Sequence, residues 1–544
     1  MIKGTGIDWI GKRALFSEPP GDNENAGFHQ EGPYQIMKLR DLIKDISQKR
    51  VVGNLDIEIQ DIAYHSGRVD RGMLFVCVKG IRADGHEFIE EALDRGARAL
   101  VVENEQERTY GGVPVVTVSD SRAALAYLSA AFFGHPSRGM RLVGVTGTNG
   151  KTTITYLIES MLANQPLACG VIGTVNYRYA DTVLPASMTT PESYDIQKML
   201  MQMTKAGVTH VVMEVSSHAL DLGRVHGCDF DVGVFTNLSQ DHLDYHESLN
   251  AYRLCKEHLF TRIIPGGHKR AVAVLNVDDP TGKKLSRVVD YQTMTYSVRR
   301  RASLWTSRVE ASLRGVRATI HTPRGPLRIE SSLVGEFNLS NILAATGAAV
   351  ALGISGEAVR RAIDNLSTVP GRMERIENDR GIEIFVDYAH TPDALERTLT
   401  VLRSFRGQGR LITLFGCGGD RDRTKRPLMG AVAARLSDLA IVTSDNPRSE
   451  PPGDILRDVE AGFVSEHIRS VEKGDLRRTK RGGYLTVENR REAIGLAIQA
   501  AHAGDIVLIA GKGHEDYQIL GDRKVPFDDR HEVREVLAKS GSQG

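Results

Sequence analysis

The run Arg141-Leu-Val-Gly-Val-Thr146 is short, apolar and rich in valine. It passes through Gly147-Thr-Asn-Gly150 straight into Lys151-Thr-Thr-Ile-Thr-Tyr-Leu-Ile-Glu-Ser-Met-Leu-Ala163, a helical pattern. A strand that feeds a covering helix in this way belongs to a mainly parallel sheet, and this constrains the fold more than any other segment. The turn also aims backbone N–H groups and a helix N-terminus at one point, which favours phosphate oxygens. Gly147, Thr148, Asn149, Gly150, Lys151, Thr152 and Thr153 are therefore candidate ATP-binding residues, with Lys151 on the β/γ-phosphates and Thr152 on Mg²⁺. The match to GxxxxGK[ST] is imperfect, because Val145 holds the first glycine place. An ordinary glycine-rich turn is the competing reading.

The same alternation recurs on both sides. LFVCVKG (74–80), RALVVE (98–103) and VPVVTV (113–118) read as strands, and EFIEEALDRGA (87–97) as a helix between two of them. SRAALAYLSAAFFGH (121–135) is a further helix, closed by Gly134 and Pro136. HVVMEV (210–215), DVGVFTN (231–237) and RAVAVLN (270–276) continue the central sheet. After Val369-Pro370-Gly371 come IEIFVDYA (382–389), RLITLFG (410–416), LAIVTSD (439–445) and DIVLIAG (505–511), a second doubly wound unit.

With 544 residues, three or four domains are expected at roughly 150 residues each. The α/β pattern predicts a poorly ordered extension (1–36), a small N-terminal α/β domain (37–138), a central P-loop domain with a mainly parallel sheet (139–370) and a C-terminal Rossmann-like domain (371–544). Met37 opens an amphipathic stretch and is a candidate initiator. The basic stretch 465–483 reads as a solvated loop.

Lys and Arg number 69 against 68 Asp and Glu, a balance that removes the electrostatic case for general nucleic-acid binding. The five cysteines are odd in number and form no CxxC pair, so neither a disulfide framework nor a structural zinc site is expected. A cytoplasmic location fits reduced thiols. No apolar run of about 18 residues predicts a membrane span, and residues 1–33 lack the apolar core of a signal peptide.

Two further segments carry candidate chemistry. Glu214 ends the apolar run 211–215 and can hold Mg²⁺ beside Thr152, although alone it reads as a capping or solvated residue. Thr236-Asn-Leu-Ser-Gln-Asp-His242-Leu-Asp-Tyr-His246 places polar groups at the carboxyl end of a strand, where α/β proteins bind ligands. His242 is a candidate metal ligand and a structural histidine is its alternative. The glutamate of HExxH zinc sites is absent.

TGTNGKTT, EVSSHAL, TNLSQDHLDYH and A251-Y-R-L-C-K-E-H-L-F260, in this order, resemble the Mur ligase family. So do G335-E-F-N-L-S-N341, G371-R-M-E374, V386-D-Y-A-H390, F415-G-C-G-G-D-R421, S444-D-N-P-R-S-E450 and A510-G-K-G-H-E515. The resemblance runs from about residue 37 onward. It implies an ATP-dependent amide-bond ligase of peptidoglycan precursor assembly that uses Mg²⁺; a monomer is expected, and the charge balance already argues against nucleic acid. Lys256, which reads alone as a surface lysine, then matches a carbamylated lysine that helps hold a second Mg²⁺. The resemblance makes Lys151, Lys256, His242 and Glu214 the catalytic set. It makes Thr152, Glu214, His242 and carbamylated Lys256 the metal set. Asn338, Arg372 and Asp387 match positions that meet ATP, with an interdomain ion pair as the other reading of Arg372.

The D445-N-P-R448 segment resembles members that add meso-2,6-diaminopimelate. That amino acid carries a second head with a carboxylate, and Arg448 offers a planar fork for it. Arg421, Asp445, Asn446, Pro447, Arg448, Gly511 and Glu515 form the expected amino-acid site, with Glu515 toward the distal ammonium. The other substrate implied is UDP-N-acetylmuramoyl-L-alanyl-D-glutamate. Tyr64, Ser66, Ile81, Arg82, Ala83, Thr189, Thr190, Ser216 and Arg224 match its contacts. Here His65-Ser66-Gly67 stands where the family has Asp-Ser-Arg, with Arg68 as a displaced arginine, and Leu222 stands where some members have Gln. The nearest alternative is the same reaction with L-lysine. More distant ones are folylpolyglutamate synthesis and a non-enzymatic nucleotide switch. His242 and His390 are both candidates for the proton acceptor, and neither is assigned.

Overall fold

The computed structural model describes residues 36–47, 49–80, 83–103, 110–242 and 245–541. The expected extension 1–36 lies outside the described residues except for Ile36. The described chain forms two compact units, one up to Met373 and one from Glu374.

The first unit contains two sheets. The smaller runs in the order Lys49–Val52, Val115–Val118, Ala99–Val102, Leu74–Val76 and Ile62–Ala63, with only the first pair antiparallel. Leu74–Val76 and Ala99–Val102 are buried on both faces, as parallel strands covered by helices must be, whereas the antiparallel edge strand Lys49–Val52 is mostly exposed. Asp120 caps the helix Ser121–Phe132 by accepting from Ala123 N at 2.9 Å. Leu125, Leu128 and Phe132 of that helix share a core with Leu74, Val76 and Val101, and also with Tyr194 from the larger sheet's helix Ser193–Lys205.

The larger sheet has 11 strands. Seven are parallel, in the order Cys169–Ile172, His210–Glu214, Arg141–Thr146, Val232–Phe235, Val272–Asn276, Thr293–Ser297 and Leu304–Ser312. Antiparallel strands finish both edges, Asn176–Tyr179 with Thr182–Pro185 at one and Gly315–Thr322 with Gly325–Ser331 at the other. Arg141–Thr146 therefore lies well inside the sheet, between His210–Glu214 and Val232–Phe235. The helix Lys151–Ala163 buries Ile154, Leu157, Ile158, Met161 and Leu162 against it.

The second unit has a seven-stranded sheet in the order Glu374–Ile376, Glu383–Asp387, Ile506–Ala510, Leu411–Phe415, Leu439–Thr443, Gly483–Val487 and Arg469–Ser470. Only Glu374–Ile376 runs antiparallel. A hairpin, Tyr517–Leu520 with Arg523–Pro526, follows the last parallel strand.

The structure corrects the reading in two places. The expected helix over 87–97 is a 3₁₀ turn, Gly85–Phe88, followed by a helix of only six residues, Ile89–Asp94, because the Asp84 side chain accepts from His86 N and starts the tighter turn. The stretch 465–483 is not loop throughout. Arg469–Ser470 pairs with Gly483–Val487 as an exposed edge strand, too short to show any alternation. No helix among the described residues is long and apolar enough to cross a membrane.

Candidate active site

Gly147 (φ 146°) and Gly150 (φ 91°) shape the loop between strand Arg141–Thr146 and helix Lys151–Ala163. A side chain at Gly147 would collide with Thr236 Oγ1, and one at Gly150 with Asn341 Oδ1. The segment after strand Val232–Phe235 braces the loop. Asn237 Oδ1 accepts from Asn149 N at 3.0 Å, Asn237 O accepts from Thr148 N at 2.8 Å, and Thr236 Oγ1 donates to Asn149 O at 2.6 Å. No side chain caps the helix beginning at Lys151, so its first N–H groups face the loop cavity as an anion cradle. Lys151 Nζ arches over the loop and donates to the carbonyls of Gly147 (2.9 Å) and Thr148 (2.8 Å). Burial lowers its pKa, with Glu214 and Asp241 opposing.

Glu214 is buried at the end of its strand. Its Oε2 accepts from Thr152 Oγ1 (3.1 Å) and Thr174 Oγ1 (3.0 Å), and its Oε1 from Thr174 N (2.9 Å). The carboxylate is thus fixed against the first turn of the loop helix. Arg372 Nη2 donates to Thr152 Oγ1 at 3.1 Å, so its observed partner is the hydroxyl expected on the metal.

Lys256, read from the residues alone as a surface lysine, is 1% exposed. The helix Leu249–His258 carries it inward because the i, i+4 pair Tyr252 and Lys256 shares one face. Lys256 Nζ donates to Gly147 O at 3.0 Å and sits 4.3 Å from the centre of the Tyr252 ring. Burial, and then the charge of Lys151, hold its amine well below the ordinary lysine range. The Tyr252 hydroxyl lies 3.3 Å from Thr148 Oγ1, and its ring centre lies 6.1 Å from that of His242. Tyr252 therefore links the loop, Lys256 and His242. His242 has a left-handed backbone (φ 53°), lies edge-on to His218 at 4.9 Å and pairs with Asp241 at 3.4 Å.

Thr174 extends the network. Its hydroxyl lies 3.1 Å from that of Thr189. Thr190 Oγ1 donates to Glu214 O at 2.7 Å and accepts from Ser216 N at 3.0 Å. Arg224 donates to Thr190 O at 3.0 Å and pairs with Glu192 at 2.8 Å. Thr189, Thr190, Ser216 and Arg224 are thus brought together, one hydroxyl away from Glu214. On the smaller sheet, Tyr64 donates to Asp195 Oδ2 at 2.7 Å, and Tyr194 donates back to Asp61 Oδ1 at 2.8 Å. Burial, and then Asp195, push the Tyr64 phenol well up. Ser66 is buried in a 3₁₀ turn, and Ala83 O accepts from Gly80 N at 2.9 Å. Ile81 and Arg82 lie outside the described residues. Asn338 is buried, donating to Val334 O at 2.9 Å and accepting from Asn341 at 3.1 Å.

In the second unit the expected residues gather at the carboxyl end of the sheet. Asp445 and Asn446 follow Leu439–Thr443, and Gly511 follows Ile506–Ala510. Gly511 (φ 113°) brings its backbone close to Asp445, whose Oδ2 would stand 3.1 Å from an added Cβ. Glu515 Oε2 accepts from Asn446 Nδ2 at 2.9 Å. Arg448, left-handed at φ 53°, is held by Gly521 N on its carbonyl (2.9 Å) and donates from Nη1 to Gly419 O at 2.7 Å. Pro447 precedes it, and Arg421 donates to Asp420 O at 3.1 Å. Asp387 ends strand Glu383–Asp387, where its Oδ1 accepts from Ala389 N at 2.9 Å. His390 Nδ1 lies 2.8 Å from Tyr388 O.

Sequence reasoning missed Thr174, Tyr252, Asn341 and Lys512. Only Tyr252 had a usable signal, its four-residue spacing from Lys256. Among the described residues no three acidic, histidine or cysteine side chains cluster as a metal site in themselves.

Similarity to known proteins runs along almost the whole chain. The family models described as Mur ligase family, catalytic domain; Mur ligase middle domain; and Mur ligase, glutamate ligase domain match residues 58–133, 145–349 and 371–513. A protein of Geobacter metallireducens named UDP-N-acetylmuramoyl-L-alanyl-D-glutamate--2,6-diaminopimelate ligase is 46% identical over 511 residues, covering 93% of this chain and 100% of its own. A protein of the same name from Geobacillus thermodenitrificans is 46% identical over 92% of this chain and 99% of its own. A solved structure under that name has a TM-score of 0.65 at 32% identity, covering 93% of this chain and 100% of its own. The MurF ligase of Thermotoga maritima, solved in complex with ADP, shares the fold at a TM-score of 0.57 and 21% identity, over 89% of this chain and 98% of its own.

Proposed function

The chain belongs to the Mur ligase family of ATP-dependent, amide-bond-forming ligases, and from that premise we propose that it joins meso-2,6-diaminopimelate to the D-glutamate of UDP-N-acetylmuramoyl-L-alanyl-D-glutamate. The observation that carries the choice of amino acid is the gathering of Asp445, Asn446, Arg448, Gly511 and Glu515 at the carboxyl end of one sheet, in a chain 46% identical to proteins named for that reaction. Arg448 supplies a fork for the distal carboxylate and Glu515 a carboxylate for the distal ammonium.

The γ-carboxylate of D-glutamate attacks the γ-phosphorus of ATP, and ADP departs, leaving an acyl phosphate. The diaminopimelate amine then attacks the acyl carbon. Phosphate leaves, and the amine gives up a proton. Lys151 and the uncapped N–H groups of the loop helix hold phosphate oxygens and stabilise the charge that builds on them. Asn338, Arg372 and Asp387 are assigned to ATP. Thr189, Thr190, Ser216 and Arg224 take the muramoyl dipeptide, and Tyr64, Ser66, Ile81, Arg82 and Ala83 the uridine diphosphate end. The three substrates divide among residues 37–138, 139–370 and 371–544.

The donor set beside the loop suits Mg²⁺: one hydroxyl and one fixed carboxylate next to a phosphate cradle, for an ion that completes its shell with phosphate oxygens and water. Thr152, Glu214 and His242 would hold it, and Lys256 as its carbamate would help hold a second; when bound the ions would neutralise phosphate charge. Lys256 suits that modification because burial favours the neutral amine. The amine lone pair bonds to the carbon of CO₂ and a proton is lost, turning a cation into an anion. A monomer in the cytoplasm, without nucleic acid or membrane, completes the proposal.

The test is phosphate release from ATP in the presence of the UDP-dipeptide, with meso-diaminopimelate or L-lysine as the amine. Release that depends on diaminopimelate supports the reading, and release that depends only on lysine overturns it.

A further inference from the structure

Lys512 lies between two glycines in the A510-G-K-G-H-E515 segment. In the fold its side chain is 0% exposed. Its Nζ lies 2.9 Å from Glu515 Oε2, 3.2 Å from Asn446 Oδ1 and 3.5 Å from Asp445 Oδ1. One buried ammonium therefore touches three of the residues assigned to the amino-acid substrate. Asn446 Nδ2 also donates to Glu515 Oε2, so both bonds converge on that oxygen and Oε1 takes neither. The ring of Tyr517 stands 5.5 Å from Nζ on another side.

A buried lysine keeps its charge where it is paired, and here two carboxylates pair it. Burial would raise the Asp445 carboxyl, but the charge of Lys512, followed by Arg490 and Arg448, holds it below the usual range. Two carboxylates and one ammonium leave this group with a single negative charge. The distal head of diaminopimelate is a zwitterion, an ammonium beside a carboxylate. A single negative charge attracts the ammonium without overwhelming the attraction of Arg448 for the carboxylate. Without the ammonium of Lys512, the group carries two negative charges and repels the distal carboxylate. A substrate whose distal end is only a cation, such as lysine, suits that doubly negative group better.

We propose that Lys512 is a positioning residue that sets amino-acid selectivity. It fixes Asp445, Asn446 and Glu515 around one ammonium and removes one unit of negative charge, so that the pocket prefers a zwitterionic distal head to a cationic one. The inference rests on the function proposed above.

The test compares the wild-type enzyme with Lys512→Met and Lys512→Arg in KM and kcat for meso-diaminopimelate, L-lysine and ATP at saturating UDP-dipeptide. Lys512→Met is expected to raise the diaminopimelate KM about ten-fold or more, to leave the ATP KM within about two-fold, and to lower the diaminopimelate-to-lysine ratio of kcat/KM about ten-fold. Lys512→Arg, which keeps the charge, restores part of that ratio. An unchanged ratio in Lys512→Met, or an equal loss for both amino acids, overturns the inference. If Lys512→Met gives no cooperative melt, Lys512→Gln, which loses the charge and keeps a hydrogen-bonding end, decides. A lowered diaminopimelate-to-lysine ratio of kcat/KM with the ATP KM unchanged supports the positioning role, and an unchanged ratio overturns it. A wild-type enzyme with no diaminopimelate-dependent turnover removes the proposed function itself. Wild-type turnover with an unaltered preference in Lys512→Met removes only the role of Lys512.

Discussion

The Thr152 hydroxyl donates to Glu214 Oε2 across 3.1 Å, joining the first turn of the loop helix to the end of the neighbouring strand. Thr174 fills the other positions around that carboxylate. Glu214→Gln keeps an acceptor oxygen for the Thr152 and Thr174 hydroxyls, loses the one that faces Thr174 N, and loses the negative charge. It is expected to lower kcat on the order of 10²-fold while leaving the melting temperature within a few degrees. Phosphate release and a thermal melt on the same preparation check this, and wild-type kcat in the variant contradicts the metal role of Glu214.

Lys256 donates to Gly147 O from a fully enclosed position beside Tyr252. Lys256→Ala should lose turnover by about 10²-fold or more, since it removes the anion that the carbamate supplies. Added formate or acetate should restore part of it. Wild-type turnover in the variant is incompatible with the carbamate.

Arg448 is fixed by bonds to Gly419 O and from Gly521 N, so its fork points from a defined turn. Arg448→Lys keeps the charge and loses the bidentate geometry. The diaminopimelate KM should rise by about ten-fold with the ATP KM unchanged. An unchanged amino-acid preference in competition assays counts against this assignment.

The strands that carry the chemistry were legible because they are central, parallel and apolar on both faces: Arg141–Thr146, His210–Glu214 and Leu439–Thr443 all stand out as valine- or leucine-rich runs. The glycine loop was legible for the same local reason. The antiparallel edges were not, since Thr182–Pro185 and Gly325–Ser331 are largely exposed and mix polar with apolar residues. Among site residues, Lys151, Thr152 and Glu214 follow from the loop and its strand neighbour. Thr174 and Asn341 depend on contacts between segments distant in sequence, and no local pattern reports them; Lys512 stands in the A510–E515 segment, but its contacts with Asp445 and Asn446 join segments 67 and 66 residues apart. The burial of Lys256 belongs to the same class, because the helix Leu249–His258 carries exposed Leu254 and buried Lys256 two residues apart.

Arg490 and Asp529 pair at 2.7 Å with both side chains 0% exposed. Arg490 also donates to Ala510 O at 3.0 Å, tying the pair to the strand that leads into Gly511. Arg490→Met leaves an uncompensated buried carboxylate and should cost about 3–5 kcal/mol. The double variant Arg490→Met/Asp529→Leu should recover part of that loss. Denaturant midpoints measure both, and additive losses contradict the coupling.

The Glu450 carboxyl is held below its ordinary range, first by the Arg426 guanidinium and then by Asp420 N, against the effect of burial. A carboxyl lowered in the folded state contributes stability that is fully present above its unfolded pKa and is lost as pH falls through the folded value. Stability should therefore drop as pH falls below the usual carboxylate range, and Glu450→Gln should flatten that slope. Denaturant titrations at a series of acidic pH values test it, and an identical slope in the variant contradicts it.

Product analysis of the complete reaction tests the central claim most directly. With ATP, UDP-N-acetylmuramoyl-L-alanyl-D-glutamate and meso-diaminopimelate together, mass spectrometry should show a UDP-linked tripeptide carrying diaminopimelate, formed one for one with ADP and phosphate. Omitting any one of the three should abolish it. Formation of a lysine adduct in preference to the diaminopimelate product, or ATP hydrolysis with no peptide formed, contradicts the account.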